Sequence, residues 1–488
     1  MFKRITLAAA VTAATLALTG CATVGPEFSA PKNVADANFR HAQGAASEAH
    51  LPAQWWTVYG DDTLNRLEQS ALRDNPTVKA AAQRLLQAQA QLGVVKSSQG
   101  PAVSVGAGVS NSRTSANTSQ GIALGHRSIH GDNYTAGASL SYEIDLWGRV
   151  RRLVEASDAQ ALALEADRDG VMLMLSAQVA SNYWQLRGLD AEIAILNGAL
   201  DTRRETEELV NARFNAGLSN ELDTSRARIE RANAEADLQE AQRQRNALEH
   251  SLAVLTGASP SSMQLPAGTA ALPQPPSIPV GLPASLLSQR PDLAGSVAAL
   301  RASNAQIGVA EAAFYPSISL TGNFGFASES LGDITKGASR QFSIGPLALS
   351  LPVFDSGRND ANLKLAKARY EEALANHEGK LLTALREVED ALSDVQQKQK
   401  QQQVQAQSRD AATRAYLVAR ARYERGLSTY LDVTDAQRSA LAADRAAAQI
   451  TTQRLLATVA VARALGAGWQ PSPQLAQVNQ QVSQQISQ

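Results

Sequence analysis

The sequence predicts an α+β membrane protein in which three chains build a 12-stranded β-barrel, with four strands from each chain. This barrel is expected to continue into a 12-helix α-barrel and to carry a mixed equatorial domain. Three observations predict this fold class: an internal duplication, four segments of alternating polarity, and two proline-free stretches long enough for rod-like helices. The 488 residues include 45 basic and 46 acidic side chains, so their near-zero net charge argues against a nucleic-acid surface.

An internal duplication organises the chain. The segment RFNAGLSNELD at residues 213–223 returns as RYERGLSTYLD at 422–432, and NPTVKAAAQRLLQAQAQLGVVKSSQGP at 75–101 aligns without gaps on 290–316. The resulting offsets of 209 and 215 residues are far longer than the unit of a stacked repeat protein. They indicate two copies of a domain-sized unit.

We expect six segments along the chain. A seam between the copies contains seven prolines from residue 260 to 283, which excludes regular helix there. The predicted division is a lipoprotein signal peptide at 1–20, a lipid-anchored arm at 21–60, a first repeat at 61–257, a proline-rich linker at 258–285, a second repeat at 286–466 and a mostly disordered tail at 467–488.

The N-terminus predicts a lipid anchor. Lys3 and Arg4 precede an apolar segment that is too short to span a bilayer and ends in LTGC, the layout of a bacterial lipoprotein signal. Cys21, the only cysteine of the chain, would receive the lipid, and Ala22 after it favours transport to the outer membrane. An ordinary secretory signal followed by an incidental cysteine is the alternative.

Four segments alternate between an apolar face and a small or polar face, which is the period of a half-buried strand. Two of them follow Pro101 and two follow Pro316, and the fourth changes phase near Gly345, which predicts a bulge. The apolar positions are Val103, Val105, Ala107 and Val109; Tyr134, Ala136, Ala138, Leu140, Tyr142, Ile144 and Leu146; Ile318, Leu320, Phe324 and Phe326; and Phe342, Ile344, Leu347, Leu349, Leu351 and Val353.

Strands of a soluble sandwich would show the same alternation. The length of these strands, their Ser-, Thr- and Gly-rich polar face and the lipid anchor favour membrane strands instead. A membrane strand has no open edge, and the smallest barrels need about eight strands, so a chain with four strands must oligomerise. Two chains would give a barrel filled by side chains, whereas three give twelve strands around an aqueous bore.

A rod follows each strand pair. Proline is absent from 102 to 259 and from 353 to 470, and helices are predicted over Gly148–Phe214 and Arg358–Tyr423, each roughly 100 Å long. The second rod carries an apolar stripe typical of a coiled-coil seam, at Leu381, Leu385, Val388, Leu392 and Val395. A coiled-coil spacer without a barrel is the alternative, but the strand pair before each rod argues against it.

Each rod ends in a turn. Gly217 and Gly426 are placed to end the descending helices, and Ser219 and Ser428 are expected to cap the ascending ones. Two helical hairpins in each chain then give twelve helices in a trimer. The Gln-rich run at 396–407 interrupts the apolar stripe, so we expect this part of the helix to face solvent or the equatorial layer.

Several motifs in order resemble the TolC-like outer-membrane efflux proteins, specifically their lipoprotein branch. The stretches are CATVGPEF, QWWTVYGDDTLNRLEQSALRDNP, YEIDLWGRVRR, LPASLLSQRPDL, LPVFDSGR and RYERGLSTYLDVTDAQRS, and the similarity covers essentially the whole mature chain. The resemblance implies a homotrimeric channel that runs from the outer membrane into the periplasm and docks onto an inner-membrane pump through a periplasmic adaptor protein. It also implies a passive exit duct for drug-like molecules, without a catalytic centre or cofactor.

Two other functions stay open. An exit duct for secreted polypeptides would have the same architecture, and a structural lipoprotein would span the periplasm without a pore. The alternating strands favour a pore over the structural protein. His126 and His130 lie in a Gly- and Ser-rich loop that does not predict a metal site, and no nucleophile triad, phosphate loop or CxxC motif suggests an enzyme.

The resemblance also implies a gate at the periplasmic end. Asp432 and Asp435 match the constricting acidic positions of the family, and Leu431 matches an apolar gate residue. Threefold symmetry would turn each side chain into a ring that narrows the channel and favours cations. Alternatively, these carboxylates only complement the dipole of the helix that they begin, because Asp223 occupies the equivalent place in the other half.

Other side chains at the ends of the rods are assigned to two further roles. The turns that would dock the adaptor are Gly217, Leu218, Ser219, Gly426, Leu427 and Ser428. The candidate latches between neighbouring hairpins are Arg213, Asp223, Arg422, Tyr423 and Arg425.

We predict that Cys21→Ser abolishes incorporation of a radioactive fatty acid but leaves trimers intact, because barrel closure and not the lipid holds the chains together. The measurement combines fatty-acid labelling of cells with native gel electrophoresis of the extracted protein. Monomers in the variant would show that the anchor drives assembly.

Overall fold

The computed structural model describes residues 23–31, 39–41, 51–268, 271–276, 289–466 and 468–476. Cys21, the signal segment, parts of the linker and the end of the tail lie outside the described residues. The helices are α1 (Asp62–Asp74), α2 (Pro76–Ser97), α3 (Ser119–Ala123), α4 (Arg149–Asn215), α5 (Glu221–Leu255), α6 (Pro291–Ala312), α7 (Arg358–Glu424) and α8 (Tyr430–Ala464). The strands are β1 (Ala102–Arg113), β2 (His130–Ile144), β3 (Ser317–Ser328) and β4 (Arg340–Ser350). Within these residues, none of the helices has both the length and the apolarity that a bilayer crossing requires.

The two halves of the chain contain matching helices. α2 and α6 have 22 residues each, α4 and α7 have 67 each, and α5 and α8 have 35 each. In both halves a strand pair separates the 22-residue helix from the 67-residue helix. The two predicted rods are therefore present, and their ends lie within one residue of the predicted ends.

The chain divides into two compact units. The first contains Met1–Ala30, Leu85–Ala163 and Ser296–His377, and the second contains Pro31–Arg84, Leu164–Gly295 and Glu378–Gln488. Because α4 and α7 each pass from one unit into the other, these units do not coincide with the two halves of the sequence.

The first unit is built on one antiparallel sheet with the strand order β1-β2-β3-β4. Phe324 lies opposite Phe342 on the apolar face, and Ser104 lies opposite Ser139 on the polar face, where their hydroxyl oxygens are 2.7 Å apart. The predicted alternation is thus confirmed in all four strands. Large apolar side chains exposed on this sheet are Val103, Val105, Val109, Ile144, Phe324, Phe342, Ile344, Leu347 and Leu349.

The bulge predicted near Gly345 lies in β4. The pairing with β3 shifts between Leu320 and Gly322, so one residue of β3 faces two residues of β4. Gly345 has a φ of 104°, a conformation that favours glycine. β4 ends at Ser350, before the last two apolar positions predicted for it.

Aspartate side chains cap the starts of both long helices. Asp145 accepts hydrogen bonds from the N–H groups of Val150 and Arg151, at 3.0 and 2.9 Å. Asp355 caps α7 in the same way, and the glycine before each helix has a φ of 82°. Since the free N–H groups of a helix start need acceptors, these bonds give a physical reason for the DLWGR and DSGR motifs.

The N-terminal arm is bound to the first unit by a buried cation. Arg152 is 3% exposed and donates hydrogen bonds to the Val24 carbonyl at 3.2 Å and to the Glu27 carboxylate at 2.6 Å. Asn304 on α6 donates to the Pro26 carbonyl at 2.9 Å. The arm therefore makes polar contacts to both α4 and α6.

An aromatic cluster forms one core of the second unit. Trp55 and Trp56 lie just before α1 with their ring centroids 6.2 Å apart, and Tyr183 and Trp184 on α4 are 5.1 Å apart. All four side chains are buried, together with apolar residues of α5 and α8. This core joins the start of the second unit to three of the long helical segments.

The apolar stripe of α7 forms a second core, as its spacing predicts. Leu381, Val388 and Leu392 are buried against Phe39 and the end of α8. The helix continues through the Gln-rich run at 396–407, where every side chain is exposed or half-buried. The predicted change in packing is therefore present.

A network of buried charges holds the start of the proline-rich linker. The Asp190 carboxylate, with 2% of its side chain exposed, pairs with Arg187 at 3.0 Å and Arg245 at 2.7 Å. It also accepts the N–H of Gly268 at 2.8 Å, while Arg245 donates to the Leu265 carbonyl at 2.8 Å. Side chains on α4 and α5 thus bind backbone groups that have no strand or helix partner.

The C-terminal tail begins with ordered structure. Residues 473–476 form a helical turn in which Leu475 is fully buried. The disorder expected for the tail thus does not apply to these residues, because an apolar side chain anchors them. For residues 477–488, which lie outside the description, it stays a prediction.

We predict that Asp190→Ala lowers the free energy of unfolding by about 3–5 kcal/mol, because Arg187 and Arg245, whose side chains are only 13% and 14% exposed, lose the carboxylate that they share. The matched control is Asp201→Ala on the same helix, whose carboxylate is 73% exposed and 3.4 Å from Arg204. This exposed pair is expected to contribute less than about 1 kcal/mol. Denaturation followed by circular dichroism in detergent measures both effects, and equal losses would contradict the role of the network.

Candidate functional site

Two tight turns and the helix ends on either side of them contain most of the predicted site residues. Between α4 and α5, the N–H of Gly217 donates to the Phe214 carbonyl at 2.9 Å, and the N–H of Leu218 donates to the Arg213 carbonyl at 2.8 Å. Gly217 has a φ of 75°. This left-handed residue ends α4 in the way that the sequence predicts.

The turn between α7 and α8 has the same geometry. Gly426 has a φ of 72°, and the N–H groups of Gly426 and Leu427 each donate over 2.9 Å to the carbonyls of Tyr423 and Arg422. Leu427 and its counterpart Leu218 are 64% and 70% exposed. Each hairpin tip therefore presents an apolar side chain to its surroundings.

Ser219 and Ser428 do not cap the ascending helices, which corrects the prediction. Asn220 caps α5, where its side chain accepts the N–H of Asp223 at 3.0 Å, and Thr429 is the cap residue of α8. The three-residue Gly-Leu-Ser turn is completed before either helix begins. The cap position therefore falls on the residue after each serine.

Asp432 belongs to the cap of α8. One of its carboxylate oxygens accepts the N–H of Thr429 at 2.9 Å and the Thr429 hydroxyl at 3.0 Å. This arrangement satisfies a backbone donor at the helix start and places negative charge at the positive end of the helix dipole. The helix-stabilising interpretation given for this carboxylate thus has direct structural support.

Leu431 and Asp435 are exposed in the first turns of α8. Leu431 is 44% exposed, and the side chain of Asp435 is 65% exposed. The closest atoms of Asp435 and Arg438 are 4.0 Å apart. Asp432 is exposed as well, so this end of the second hairpin presents two carboxylates and a leucine.

Arg213 and Tyr423, two of the predicted latch residues, contact each other within one chain. The guanidinium carbon of Arg213 lies 4.8 Å from the centroid of the Tyr423 ring, and its Nη1 donates to the Tyr423 carbonyl at 3.0 Å. Burial raises the pKa of the Tyr423 phenol, and the positive charge of Arg213 opposes that shift. This contact, which we call the Arg213–Tyr423 latch, joins α4 to α7.

The other latch candidates make local contacts. Asp223 accepts a hydrogen bond from the Ser219 hydroxyl at 3.2 Å, so it binds inside its own turn. Arg422 and Arg425 are exposed, and Arg422 reaches the Leu427 carbonyl at 3.5 Å. Within the described chain these three residues are therefore not part of the latch.

A second link between the hairpins consists of residues that the sequence analysis did not single out. Glu230 on α5, with 4% of its side chain exposed, pairs with Arg203 of α4 at 3.2 Å and accepts from Nε of Arg438 of α8 at 2.9 Å. We call these three residues the Glu230 clamp. Arg203 and Arg438 are 27 and 208 residues from Glu230 in sequence, so no local pattern signals the contact.

The Glu230 clamp is asymmetric between the two hairpins. Arg203 and Glu230 both belong to the first hairpin, where Arg203 also donates to the Glu230 carbonyl at 2.8 Å. Arg438 is the contribution of the second hairpin. If α8 moved away from α5, the buried Glu230 carboxylate would keep one cation, which avoids the large cost of an unpaired buried charge.

Apolar packing supplements these polar contacts at the tips. The buried members of the tip cluster are Val210, Ala227, Tyr423, Tyr430 and Val433. They come from all four long helices, and the rings of Tyr423 and Tyr430 are 5.7 Å apart. The two hairpins of one chain therefore pack together near their ends.

Comparison with known proteins identifies the family. The family described as outer membrane efflux protein matches residues 67–258 and 282–467. Outer membrane protein OprJ of Pseudomonas aeruginosa is 34% identical over 468 residues, which cover 94% of this chain and 96% of that protein. Cation efflux system protein CusC of Escherichia coli is 30% identical over 93% of this chain and 97% of its own length. Antibiotic efflux pump outer membrane protein ArpC of Pseudomonas putida is 32% identical over 98% of each chain.

The solved structure of the outer-membrane channel OprN has the same fold. It superimposes with a TM-score of 0.87 at 32% identity, covering 92% of this chain and all of that one. The predicted fold class, that of the TolC-like outer-membrane channels, is confirmed. The chain therefore belongs to the outer membrane efflux protein family and is a channel protein of the bacterial outer membrane.

Proposed function

We propose that three copies of this chain form the exit duct of a tripartite efflux system, which passively conducts drug-like small molecules out of the cell. The observation that carries this proposal is the open sheet, whose apolar face is exposed and whose outer strands β1 and β4 each pair on one side only within the described residues. In hydrocarbon, unpaired backbone groups cost several kcal/mol each. Pairing of β4 in one chain with β1 in the next supplies the missing partners.

Three chains close both the β-barrel and the helical tube of the duct. Four strands from each chain give a 12-stranded barrel, with the polar face around an aqueous bore. The helices α4, α5, α7 and α8 of three chains give twelve helices for the periplasmic tube. Conduction through this duct needs no catalytic step, because the inner-membrane pump supplies the energy.

We also infer the domain organisation from the repeated elements. The equal lengths of the paired helices and the two separate matches to the family support a duplication with repeats at 61–257 and 286–466. The arm at 21–60, the linker at 258–285 and the tail at 467–488 connect or flank these repeats. Cys21 is assigned as the lipidated residue that anchors the arm.

The hairpin tips are assigned as the docking sites of the periplasmic adaptor. The turns Gly217–Ser219 and Gly426–Ser428 expose Leu218 and Leu427, which are apolar groups suited to a protein partner. Arg422 and Arg425 are exposed at the second tip and are assigned to contacts with a neighbouring chain.

The proposed substrates are small organic molecules. ArpC, which this chain matches over 98% of its length, is named as part of an antibiotic efflux pump. CusC, named as part of a cation efflux system, makes metal export the second candidate. Soft metal ions prefer thiolate and thioether ligands, and this chain has only four methionines and the cysteine assigned to the lipid, which favours organic substrates.

The gate is proposed to lie at the tips of the second hairpins. Leu431, Asp432 and Asp435 form rings in the trimer, and closely spaced carboxylates attract cations. The Arg213–Tyr423 latch and the Glu230 clamp hold α7 and α8 against α4 and α5. Opening then requires the second hairpin to leave these contacts.

We expect the double variant Asp432→Ala/Asp435→Ala to reduce cation selectivity and block by divalent cations, because each ring loses its negative charge. Single-channel recordings in planar lipid bilayers measure both properties. Asp201→Ala is the control, because it removes an exposed carboxylate that lies on α4, 16 residues before Gly217 and roughly 24 Å along the helix from the tip. Unchanged selectivity and block in the double variant would leave these carboxylates with a helix-stabilising role only.

Breaking the latch is expected to raise the conductance of the resting channel several-fold. Arg213→Ala removes both contacts of the latch, and Tyr423→Ala removes the ring contact but keeps the backbone carbonyl. Arg438→Gln removes the contribution of the second hairpin to the Glu230 clamp. The same bilayer recordings test this, with Arg243→Gln on the exposed face of α5 as the control. If latch variants conduct like the parent protein, the gate is held closed by other contacts.

A further inference from the structure

The apolar face of the sheet carries positive charge at one end. The alternation that puts Val109 on this face also puts Arg113 there, four residues later at the last position of β1. In β4, Arg340 comes two residues before Phe342 and lies opposite Phe326 of β3. Both arginines are exposed. The face thus changes from apolar to cationic where the strands meet the hairpin loops.

This end of the sheet lies away from the long helices. The loops at 114–129 and 329–339 join its strands, whereas the opposite strand ends lead to α4 and α7. In the proposed duct the long helices extend into the periplasm, so the loops lie at the outer surface of the membrane. Arg113 and Arg340 are therefore placed where the apolar interior of the bilayer meets the lipid headgroups, and their long side chains can keep the charge among those headgroups.

Neither arginine is neutralised within the part of the chain that the structure describes. Arg113 and Arg340 form no ion pair and no side-chain hydrogen bond with any residue of that part, Glu329 in the loop between β3 and β4 included. The other carboxylates at this end have different partners: Asp132 accepts a hydrogen bond from Asn111 at 2.8 Å, and Asp333 pairs with Lys336. Both guanidinium groups are therefore available to an anion from outside the chain.

Closure of the barrel would bring the two arginines together. This step rests on the proposed function, in which β4 of one chain pairs with β1 of the next. The two strands have 11 and 12 residues and run antiparallel, so pairing along their length places Arg340, the first residue of β4, near Arg113, the last residue of β1. Neighbouring strands are about 4.8 Å apart, so one anion can contact both side chains.

The surface below the arginines is apolar. Val109 and Phe342, which are 67% and 78% exposed, come next on the same face of β1 and β4. A guanidinium group binds phosphate through two parallel hydrogen bonds, and two such groups held side by side repel each other unless an anion lies between them. A free phosphate would contact only the arginines, whereas a lipid would also cover the apolar surface.

We propose that Arg113 of one chain and Arg340 of its neighbour form a binding site for the phosphate of an anionic lipid in the outer leaflet. We call this pair the seam site. The lipid's acyl chains lie along Val109 and Phe342, and the threefold symmetry of the duct gives one such site at each junction between chains. The lipid thus bridges two chains at the place where the barrel is closed.

The test measures lipid binding to the intact trimer in a non-ionic detergent by native mass spectrometry. The probes are lipid A, a glycolipid with two phosphate groups, and the same lipid after removal of its phosphates. We expect lipid A to bind at least about tenfold more tightly than the phosphate-free lipid, because the hydrogen bonds to phosphate are charge-assisted. Excess inorganic phosphate is expected to leave lipid A bound, and full displacement by it would show a site for free phosphate instead.

Variants assign the binding to the seam site. Arg113→Gln and Arg340→Gln are each expected to weaken lipid A binding by about tenfold and to leave binding of the phosphate-free lipid unchanged. The control is Arg127→Gln, which removes an exposed arginine from the loop that follows β1 and tests for general attraction to positive charge. An equal loss in the control, or unchanged binding in both seam variants, would overturn the proposal.

The same spectra count the chains and so separate the two proposals. A trimer that binds both lipids equally would overturn the seam site and leave the proposed duct intact. Absence of a trimer in the parent protein would overturn the duct and the seam site together.

Discussion

The backbone hydrogen-bonding groups at the two edges of the sheet are the constraint on which the rest of this structure depends. The described residues form one open sheet of four strands with Val105, Phe342 and Ile344 exposed on its apolar face. A bilayer accepts that face but not unpaired strand edges, so the edges have to meet other chains. In each chain the sheet is followed by α4 and α7, whose first turns are capped by Asp145 and Asp355. The number of chains that closes the barrel therefore also sets the number of helices in the tube.

Buried ion pairs set the packing of the helical hairpins. A buried ion pair contributes little net stability compared with apolar packing, but losing one partner is costly. We infer that Asp190 and Glu230 therefore restrict which helices can be neighbours, since each needs cations from particular positions. Asp190 and Glu230 stabilise different parts of the second unit. Asp190 holds backbone of the linker, whereas Glu230 shares its carboxylate between two hairpins and keeps Arg203 if the second hairpin moves.

The strands, the long helices and the turns between them could be predicted from the sequence. The strands follow from alternation, the rods from the absence of proline, and the turn glycines from the left-handed conformation that they take. The helix caps were predicted one residue early, at Ser219 instead of Asn220 in the first hairpin. Serine and asparagine are equally good cap residues, so only the length of the turn determines which of them occupies the cap position. The Glu230 clamp joins residues that are 27 and 208 positions apart in sequence, so a single sequence holds no local signal for it.

Native mass spectrometry of the detergent-extracted protein counts the chains that close the barrel, for which we propose three. One full-length chain has a mass of 51.6 kDa, and processing and lipidation change that value only slightly. We expect a single assembly with three times the mass of the mature chain, which separates into monomers only when the barrel is unfolded. A monomer or a dimer released intact from the micelle would rule out the three-chain barrel, because the edges of β1 and β4 would then pair in some other way.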